Sequence, residues 1–426
     1  MEAHQHLAIS INMQTQPSTN KCNGTPNSPP QSPSPSLTIN DLKPSSSPST
    51  SSSFLLLLSR FHAGYFRITL SLTTQALLWK TLILSPTAAF DHPLRRVPSA
   101  AFTLLWSLSF LTLAAFSSLY LLRCLLRFRM VKSEFLHHVG VNYLFAPWIS
   151  WLLLLLSSPT FLSPETTPFH ALWCVFAGPI LALDVKIYGQ WFTKGKRFLS
   201  TVANPTSQMS VIGNLVGARA AAEMGWREVA VCLFSLGMAH YLVLFVTLYQ
   251  RLSGGNCLPS MLRPVFFLFF AAPSMASLAW VAICGRVDTS AKMLFFLSLF
   301  LFLSLVSRPT LFKKSMRKFN VAWWAYSFPL TVLALASVDY AQEVKGAVAH
   351  ALTLLLSSLS ILVSFALMVF TVLNSHMLFP DNDPGLRHSS SIDKKNNKCT
   401  DDDFGSTKLS TGCLTIKIEP SEPEKS

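Results

Sequence analysis

Long apolar segments recur along the chain from about residue 61 to residue 377, with short polar connections between them. Each segment is about 20 residues long, which is the length that an α-helix needs to cross a hydrocarbon layer about 30 Å thick. Only 13% of the 426 residues are charged, whereas a soluble domain usually carries about a quarter. The segments are continuously apolar rather than alternating, which favours helices over a β-barrel. The chain is therefore predicted to be an all-α integral membrane protein.

The apolar segments predict about ten transmembrane helices. The residues on either side differ in composition. Residues 1–53 are rich in Ser and Pro, and residues 380–426 carry mixed charge, so both are predicted to be disordered tails around a membrane domain at 54–379. The ten helices are expected at about 61–84, 99–122, 138–157, 168–190, 205–224, 227–250, 262–284, 290–307, 320–338 and 346–377.

Basic residues concentrate in alternate connections, near residues 123–132, 194–197, 251–263 and 308–318. Because positively charged loops remain in the cytoplasm, both termini of this multi-pass chain are predicted to be cytoplasmic. The formal net charge of +14 is thereby explained by membrane topology, and no nucleic-acid partner is expected.

Prolines mark every odd-numbered helix from the third onward, at Pro147, Pro205, Pro273 and Pro329. A proline frees a backbone carbonyl and bends a helix, which an interior position tolerates and a lipid-facing position does not. The odd-numbered helices are therefore expected to lie inside the bundle. The alternative is that proline is simply common in membrane helices, and Pro179 in helix four breaks the alternation.

Helix five is the least bulky of the predicted spans, with Gly213, Asn214 and Gly217 among its small residues. Small residues either allow neighbouring helices to pack closely or leave space along an axis. Both alternatives place this helix against protein rather than lipid.

Few ionisable residues lie within the predicted spans, and each is a candidate functional residue because a buried charge is costly. Asp184 and Lys186 in helix four point to different faces of the helix and are expected to pair with neighbouring helices, near Arg197 or Glu134. Arg219 and Glu223 are four residues apart, the spacing of a pair within one helix.

The chain lacks the phosphate loop, the zinc-protease motif and the nucleophile elbow, and its eight cysteines are scattered. Neither an enzyme, nor a metal site, nor a cofactor is expected. Because few titratable groups lie within the spans, passive flow is favoured over proton-coupled transport. An acidic ring or carbonyl filter for cations is not visible, whereas basic residues and the positive ends of broken helices favour anions.

Several strings resemble those of plant slow-type (S-type) anion channels and their shorter homologues, within the tellurite-resistance/dicarboxylate transporter family. They are FHAGYFR at 61–67, VNYLFAPW at 141–148, KIYGQW at 186–191, VANP at 202–205, GMAHY at 237–241 and FNVAWWAYSFP at 319–329. The resemblance implies five helical hairpins around a central pore, odd-numbered helices that line it, and assembly as trimers. It also implies that Phe328 blocks the pore, although from the sequence alone Phe328 is one more core aromatic. A second gating aromatic of the family falls on Leu153 here, which is a departure.

The resulting interpretation is an anion channel that passes chloride and nitrate passively across the plasma membrane. The alternatives are a secondary carrier of dicarboxylates such as malate, and a non-conducting subunit that modulates a homologous channel. Expected partners are the lipid bilayer, small inorganic anions, like or homologous subunits, and a protein kinase acting on the tails. The candidate pore residues are the gate Phe328 and, as lining or kink positions, Pro147, Asn204, Pro205, Gly213, Asn214, Gly217, Pro273, Ser327 and Pro329.

Overall fold

The computed structural model describes residues 58–84, 99–137, 139–159, 161–191, 203–253, 260–313, 315–317 and 319–374. The two predicted tails lie outside these residues, and so does Arg197. Within the described ranges every regular element is helical.

Among the described residues, ten helices are 12 residues long or longer, and each coincides with one of the ten predicted spans. Helix α3 begins later than expected, because the turn Gly140–Tyr143 precedes it as a separate element. The helices are α1 (Phe66–Leu84), α2 (Ser99–Leu126), α3 (Phe145–Leu156), α4 (Thr167–Trp191), α5 (Gln208–Glu223), α6 (Arg227–Ser253), α7 (Leu268–Cys284), α8 (Thr289–Val306), α9 (Ser327–Val344) and α10 (Ala347–Leu373).

Seven of these helices are long and apolar enough to cross a membrane when α7 and α9 are counted with the turns that precede them, and α3 makes an eighth when it is counted with the short helix Phe128–Leu136. Helices α1 and α5 do not meet that standard. Helix α5 has 16 residues, and α1 carries Thr, Ser and Gln side chains that lower its hydropathy. Both are largely buried in protein, with 12 of 19 residues buried in α1 and 13 of 16 in α5. A helix surrounded by protein does not need an apolar surface all round.

The odd-numbered helices form a closed ring. Helix α1 packs against α3, α3 against α5, α5 against α7, α7 against α9, and α9 against α1. Each even-numbered helix packs outside the odd-numbered helix that precedes it, so the bundle consists of five helical hairpins. The spans of α7 and α9 are 78% and 83% buried, against 11% for α2 and 22% for α8. The prediction that the odd-numbered helices lie inside is confirmed.

Each odd-numbered helix begins with a short turn that precedes its regular part. The turns are Ala63–Tyr65, Gly140–Tyr143, Pro205–Ser207, Ser260–Phe267 and Val321–Ala325. Side chains of His62, His137, Asn204 and Asn320 accept hydrogen bonds from backbone N–H groups in the first residues of four of these turns, as helix caps do.

Successive helices joined by short connections run antiparallel, so all five turns lie at the same end of the ring. We call this end the basic end, because the connection after α2 also lies there, with Arg127, Arg129 and Lys132.

The prolines occupy two kinds of position. Pro147, Pro205 and Pro329 lie in the first turn of their elements, where the missing N–H would have no intrahelical partner in any case. They therefore start helices rather than kink them. Pro273 lies inside α7 and frees the carbonyl of Phe269, which accepts a hydrogen bond from the Tyr241 hydroxyl at 3.4 Å.

Candidate ion pathway

A small cavity lies at the basic end, on the axis of the five-helix ring. Its volume is about 10 Å³, which is room for about one water molecule. Every odd-numbered helix, or the turn before it, contributes to the wall, and this places the cavity at the centre of the ring. The lining residues are Arg67, Leu70, Tyr143, Met209, Val265, Leu268, Trp324, Ala325 and Phe328.

Phe328 is the second residue of α9 and is 1% exposed. Phe328 follows the junction between the turn Val321–Ala325 and the regular helix α9, and hydrogen bonds from neighbouring helices stabilise this junction. The Trp324 carbonyl accepts a hydrogen bond from the Ser71 hydroxyl of α1 at 3.1 Å. Ser327 shares a hydrogen bond of 2.6 Å with Ser364 of α10. These contacts hold the start of α9, and with it the backbone position of Phe328, beside the cavity.

Arg67 is the one charged side chain among the described residues that line the cavity. Its Nε donates to the Gly64 carbonyl at 2.9 Å, and its guanidinium lies 4.7 Å from the centre of the Tyr143 ring. Nη1 is buried and has no hydrogen-bond partner within the described part of the chain. A buried guanidinium N–H without a partner is a donor available to an anion.

Two glycines make this arrangement possible. A Cβ on Gly64 would lie 2.6 Å from Cε1 of His62 and 3.1 Å from Nη2 of Arg67, so a side chain there would disturb both the cap and the arginine. A Cβ on Gly140 would lie 2.6 Å from the Glu134 backbone oxygen. The turns before α1 and α3 can therefore approach their neighbours only because these residues lack a side chain.

A buried ion pair anchors the turn before α1. Glu134, in the short helix Phe128–Leu136, lies 3.0 Å from Nη1 of Arg123 at the end of α2, and both side chains are at most 6% exposed. The second Glu134 oxygen accepts a hydrogen bond from the Ala63 N–H at 2.8 Å. This contact ties the connection between α2 and α3 to the segment that carries Arg67.

Three of the predicted pore residues face the outer helices rather than the axis. A Cβ on Gly213 would meet Ile180 of α4 at 3.1 Å, and the Gly217 carbonyl accepts from the indole of Trp173, also on α4, at 3.1 Å. Asn214 donates to Asp184 of α4 at 2.6 Å. Of the two alternatives that the small residues left open, these contacts support close packing.

Asp184 is 2% exposed and lies in a polar cluster between α4, α5 and α6. It accepts hydrogen bonds from Ser210 and Asn214, and Ser210 also lies 3.0 Å from Nδ1 of His240. Of the partners expected for this part of α4, Glu134 pairs with Arg123 instead, and Arg197 lies outside the described residues. Hydroxyl and amide donors of α5 satisfy the Asp184 carboxylate.

The other predicted positions divide between the basic end and the outside of the ring. Asn204 and Pro205 start the turn before α5. Ser327 and Pro329 lie in the first turn of α9, on either side of the cavity residue Phe328. Pro147 lines a separate groove on the outside of the ring, and Leu153 is fully buried in α3.

The end of the ring opposite the cavity carries charges of both signs. Lys80 at the end of α1 donates to the carbonyls of Leu156 and Ser158, at 3.0 and 2.8 Å, which offsets the negative end of α3. Arg219 and Glu223 form the predicted pair within α5, at 3.0 Å. Nη1 of Arg219 is also buried without a hydrogen-bond partner among the described residues, but Arg219 pairs with Glu223, whereas Arg67 has no acidic partner among the residues that line the cavity.

Sequence reasoning missed Arg67, Tyr143 and Met209 as cavity residues. Arg67 had one usable signal, since it is a basic residue inside the first apolar segment and a charge within a span suggests function. Tyr143 and Met209 carried none, because an aromatic or a methionine at a helix start resembles any core residue.

The chain is similar to several known proteins over most of its length. The family model for voltage-dependent anion channels matches residues 60–372. The S-type anion channel SLAH1 of Arabidopsis thaliana is 59% identical over 343 residues, which cover 80% of this chain and 88% of that protein. The S-type anion channel SLAH4 of the same plant is 60% identical over 321 residues, 75% of this chain and 86% of that protein. The guard cell S-type anion channel SLAC1 is 45% identical, over 76% of this chain and 58% of its own length.

Proposed function

Because the chain belongs to the voltage-dependent anion channel family, we propose that it conducts small monovalent anions passively, with chloride and nitrate as substrates. The path runs along the axis of the ring formed by α1, α3, α5, α7 and α9. The observation that carries the proposal is the cavity at the basic end, which is lined by all five odd-numbered helices or their preceding turns and has Arg67 and Phe328 in its wall.

The sign of the charge near the cavity favours anions. The five odd-numbered helices all begin at the basic end, so the positive ends of their dipoles converge there. Arg67 adds a full positive charge, and its Nη1 is a buried donor without a partner in the described ranges. A chloride or nitrate ion that loses part of its hydration shell at this point would gain both a charge and a hydrogen bond.

Phe328 is proposed as the gate of this path. It is 1% exposed, and the cavity beside it has room for about one water molecule, at about 10 Å³. A phenyl ring at such a narrow point closes the path sterically and also excludes water from it. The structure described here is then the closed state.

The roles proposed for the remaining residues follow their positions. Asn204, Pro205, Ser327 and Pro329 shape the helix starts around the cavity, and Pro273 shapes α7. Gly213, Asn214 and Gly217 set the spacing between α5 and the outer helices, so we do not include them in the path.

The cellular setting is part of the same proposal. The protein acts in the plasma membrane with both termini in the cytoplasm, since the connections at the basic end are the positive ones. It assembles as a trimer of like or homologous subunits in which each subunit has its own path, and its tails are substrates of a protein kinase.

Anion currents from the full chain test the function. Expressed alone in a cell with little background conductance, the chain should give unitary currents in chloride or nitrate at fixed voltage. Saturating flux without unitary events would indicate a dicarboxylate carrier instead. Silence alone, together with altered currents when a homologous channel is co-expressed, would indicate a modulating subunit, and silence in both settings would refute the proposal.

A further inference from the structure

A deep groove opens on the outside of the ring at the basic end. Its volume is about 870 Å³, within the range of pockets that hold organic ligands. Helices α2, α3 and α4 and the short helix Phe128–Leu136 form its walls. Helices α2 and α4 are only 11% and 33% buried, so the groove faces the lipid side of the bundle rather than the axis.

The lining of the groove is apolar and aromatic except at one edge. Trp148 and Trp151 of the interior helix α3 line the groove, together with Leu121 of α2 and Ala182 of α4, the outer helices that flank it. Lys132 is the one charged residue among the described residues that line it. An apolar slot with a lysine at its end matches a molecule that has a hydrocarbon chain and an anionic head.

The edge with Lys132 is strongly basic. Arg127 and Arg129 are exposed beside it, and Glu134, the acidic residue of the same short helix, is already neutralised by Arg123 at 3.0 Å. The short helix Phe128–Leu136 turns by 105° from the direction of the Gly140–Leu156 segment, as a helix does when it lies along the membrane surface. Basic residues at that level attract anionic lipid headgroups.

We infer that this groove binds an anionic phospholipid, with the headgroup at Lys132 and an acyl chain along Trp148 and Trp151. The bound lipid lies beside the proposed path. Phe66 and Leu144 line the groove, and their chain neighbours Arg67 and Tyr143 line the central cavity. A lipid that packs against Phe66 and Leu144 in the groove therefore also helps to hold their neighbours Arg67 and Tyr143 in the wall of the central cavity.

Native mass spectrometry of the full chain, titrated with phosphatidylserine or phosphatidylcholine in detergent, tests the site without any measurement of current. Lys132→Gln should weaken phosphatidylserine binding about fivefold, the value expected for loss of one basic residue near a lipid surface. Ala182→Phe fills the groove from an exposed position and should abolish binding of the tightly held lipid.

Two matched variants serve as controls. Ala115→Phe adds the same ring at an exposed position on α2, and Lys313→Gln removes an exposed charge at the basic end, both away from the groove. Neither should change phosphatidylserine binding. Equal binding of the two lipids, or phosphatidylserine binding that survives both groove variants, would overturn the inference. So would loss of the oligomer in Ala182→Phe, because the groove would then be an interface between copies of the chain.

Discussion

Truncation of Phe328 separates the gate from an ordinary core aromatic, because the two roles predict opposite results. The ring is 1% exposed. In a soluble core, Phe→Ala at such a position costs about 3 to 5 kcal/mol, a large part of the usual stability of about 5 to 15 kcal/mol. A core role would therefore reduce the amount of folded protein and leave the current per surviving channel unchanged or lower.

As a gate, Phe328 instead contributes to the barrier for ions. The adjoining cavity of about 10 Å³ has room for about one water molecule. As a gate, the phenyl group of Phe328 would therefore interrupt a column of water that would otherwise be continuous. We expect Phe328→Ala to raise the resting current per channel at least tenfold, which corresponds to about 1.4 kcal/mol of barrier.

The assay is anion current divided by the number of channels at the cell surface, with any homologous subunit that conduction requires. Phe270→Ala is the matched control, since Phe270 is also fully buried on an odd-numbered helix and does not line the cavity. Phe270→Ala should not raise the current per channel. An unchanged or reduced current per channel in Phe328→Ala, or an equal rise in the control, would refute the gating argument.

Four further predictions follow from the same structure. Arg67→Gln should lower the anion current about tenfold, equivalent to about 1.4 kcal/mol, at an unchanged amount of channel at the cell surface. The exposed Arg129→Gln should leave the current unchanged. Equal currents in the two variants would show that Arg67 does not act on the path. Glu134→Gln breaks a buried ion pair and should lower the free energy of unfolding by about 3 to 5 kcal/mol. The partly exposed pair broken by Glu223→Gln is worth about 1 kcal/mol or less, so the unfolding temperature in detergent should fall far more for Glu134→Gln than for Glu223→Gln. Epitope tags at both termini should be accessible only after the cell is permeabilised, and a tag detected on intact cells would contradict the topology. Chemical cross-linking in mild detergent should stop at three subunits, so a dominant dimer would count against the trimer.

The sequence by itself determined the number and order of the helices. Hydrocarbon imposes a fixed length and a continuous apolar surface, so the helices that face lipid could be located from composition alone, whereas α1 is more polar and α5 shorter than a lipid-facing span. The positions of Pro147, Pro205, Pro273 and Pro329 also indicated which helices are interior, and the four-residue spacing of Arg219 and Glu223 predicted their pairing. The importance of Phe328 came from family resemblance, because a buried phenylalanine has no local signature of a gate.

Only the tertiary structure decided which side of each interior helix faces the axis. An interior helix such as α5 is buried nearly all round, so its sequence does not show how it is rotated about its own axis. Gly213 and Gly217 could equally have lined a path or packed against α4, and their contacts settle the question in favour of packing. The packing of α1 beside α3 places the Arg67 guanidinium 4.7 Å from the centre of the Tyr143 ring, although the two residues lie on different hairpins. The cavity exists because five helix starts converge, and convergence is a property of the closed ring rather than of any one segment.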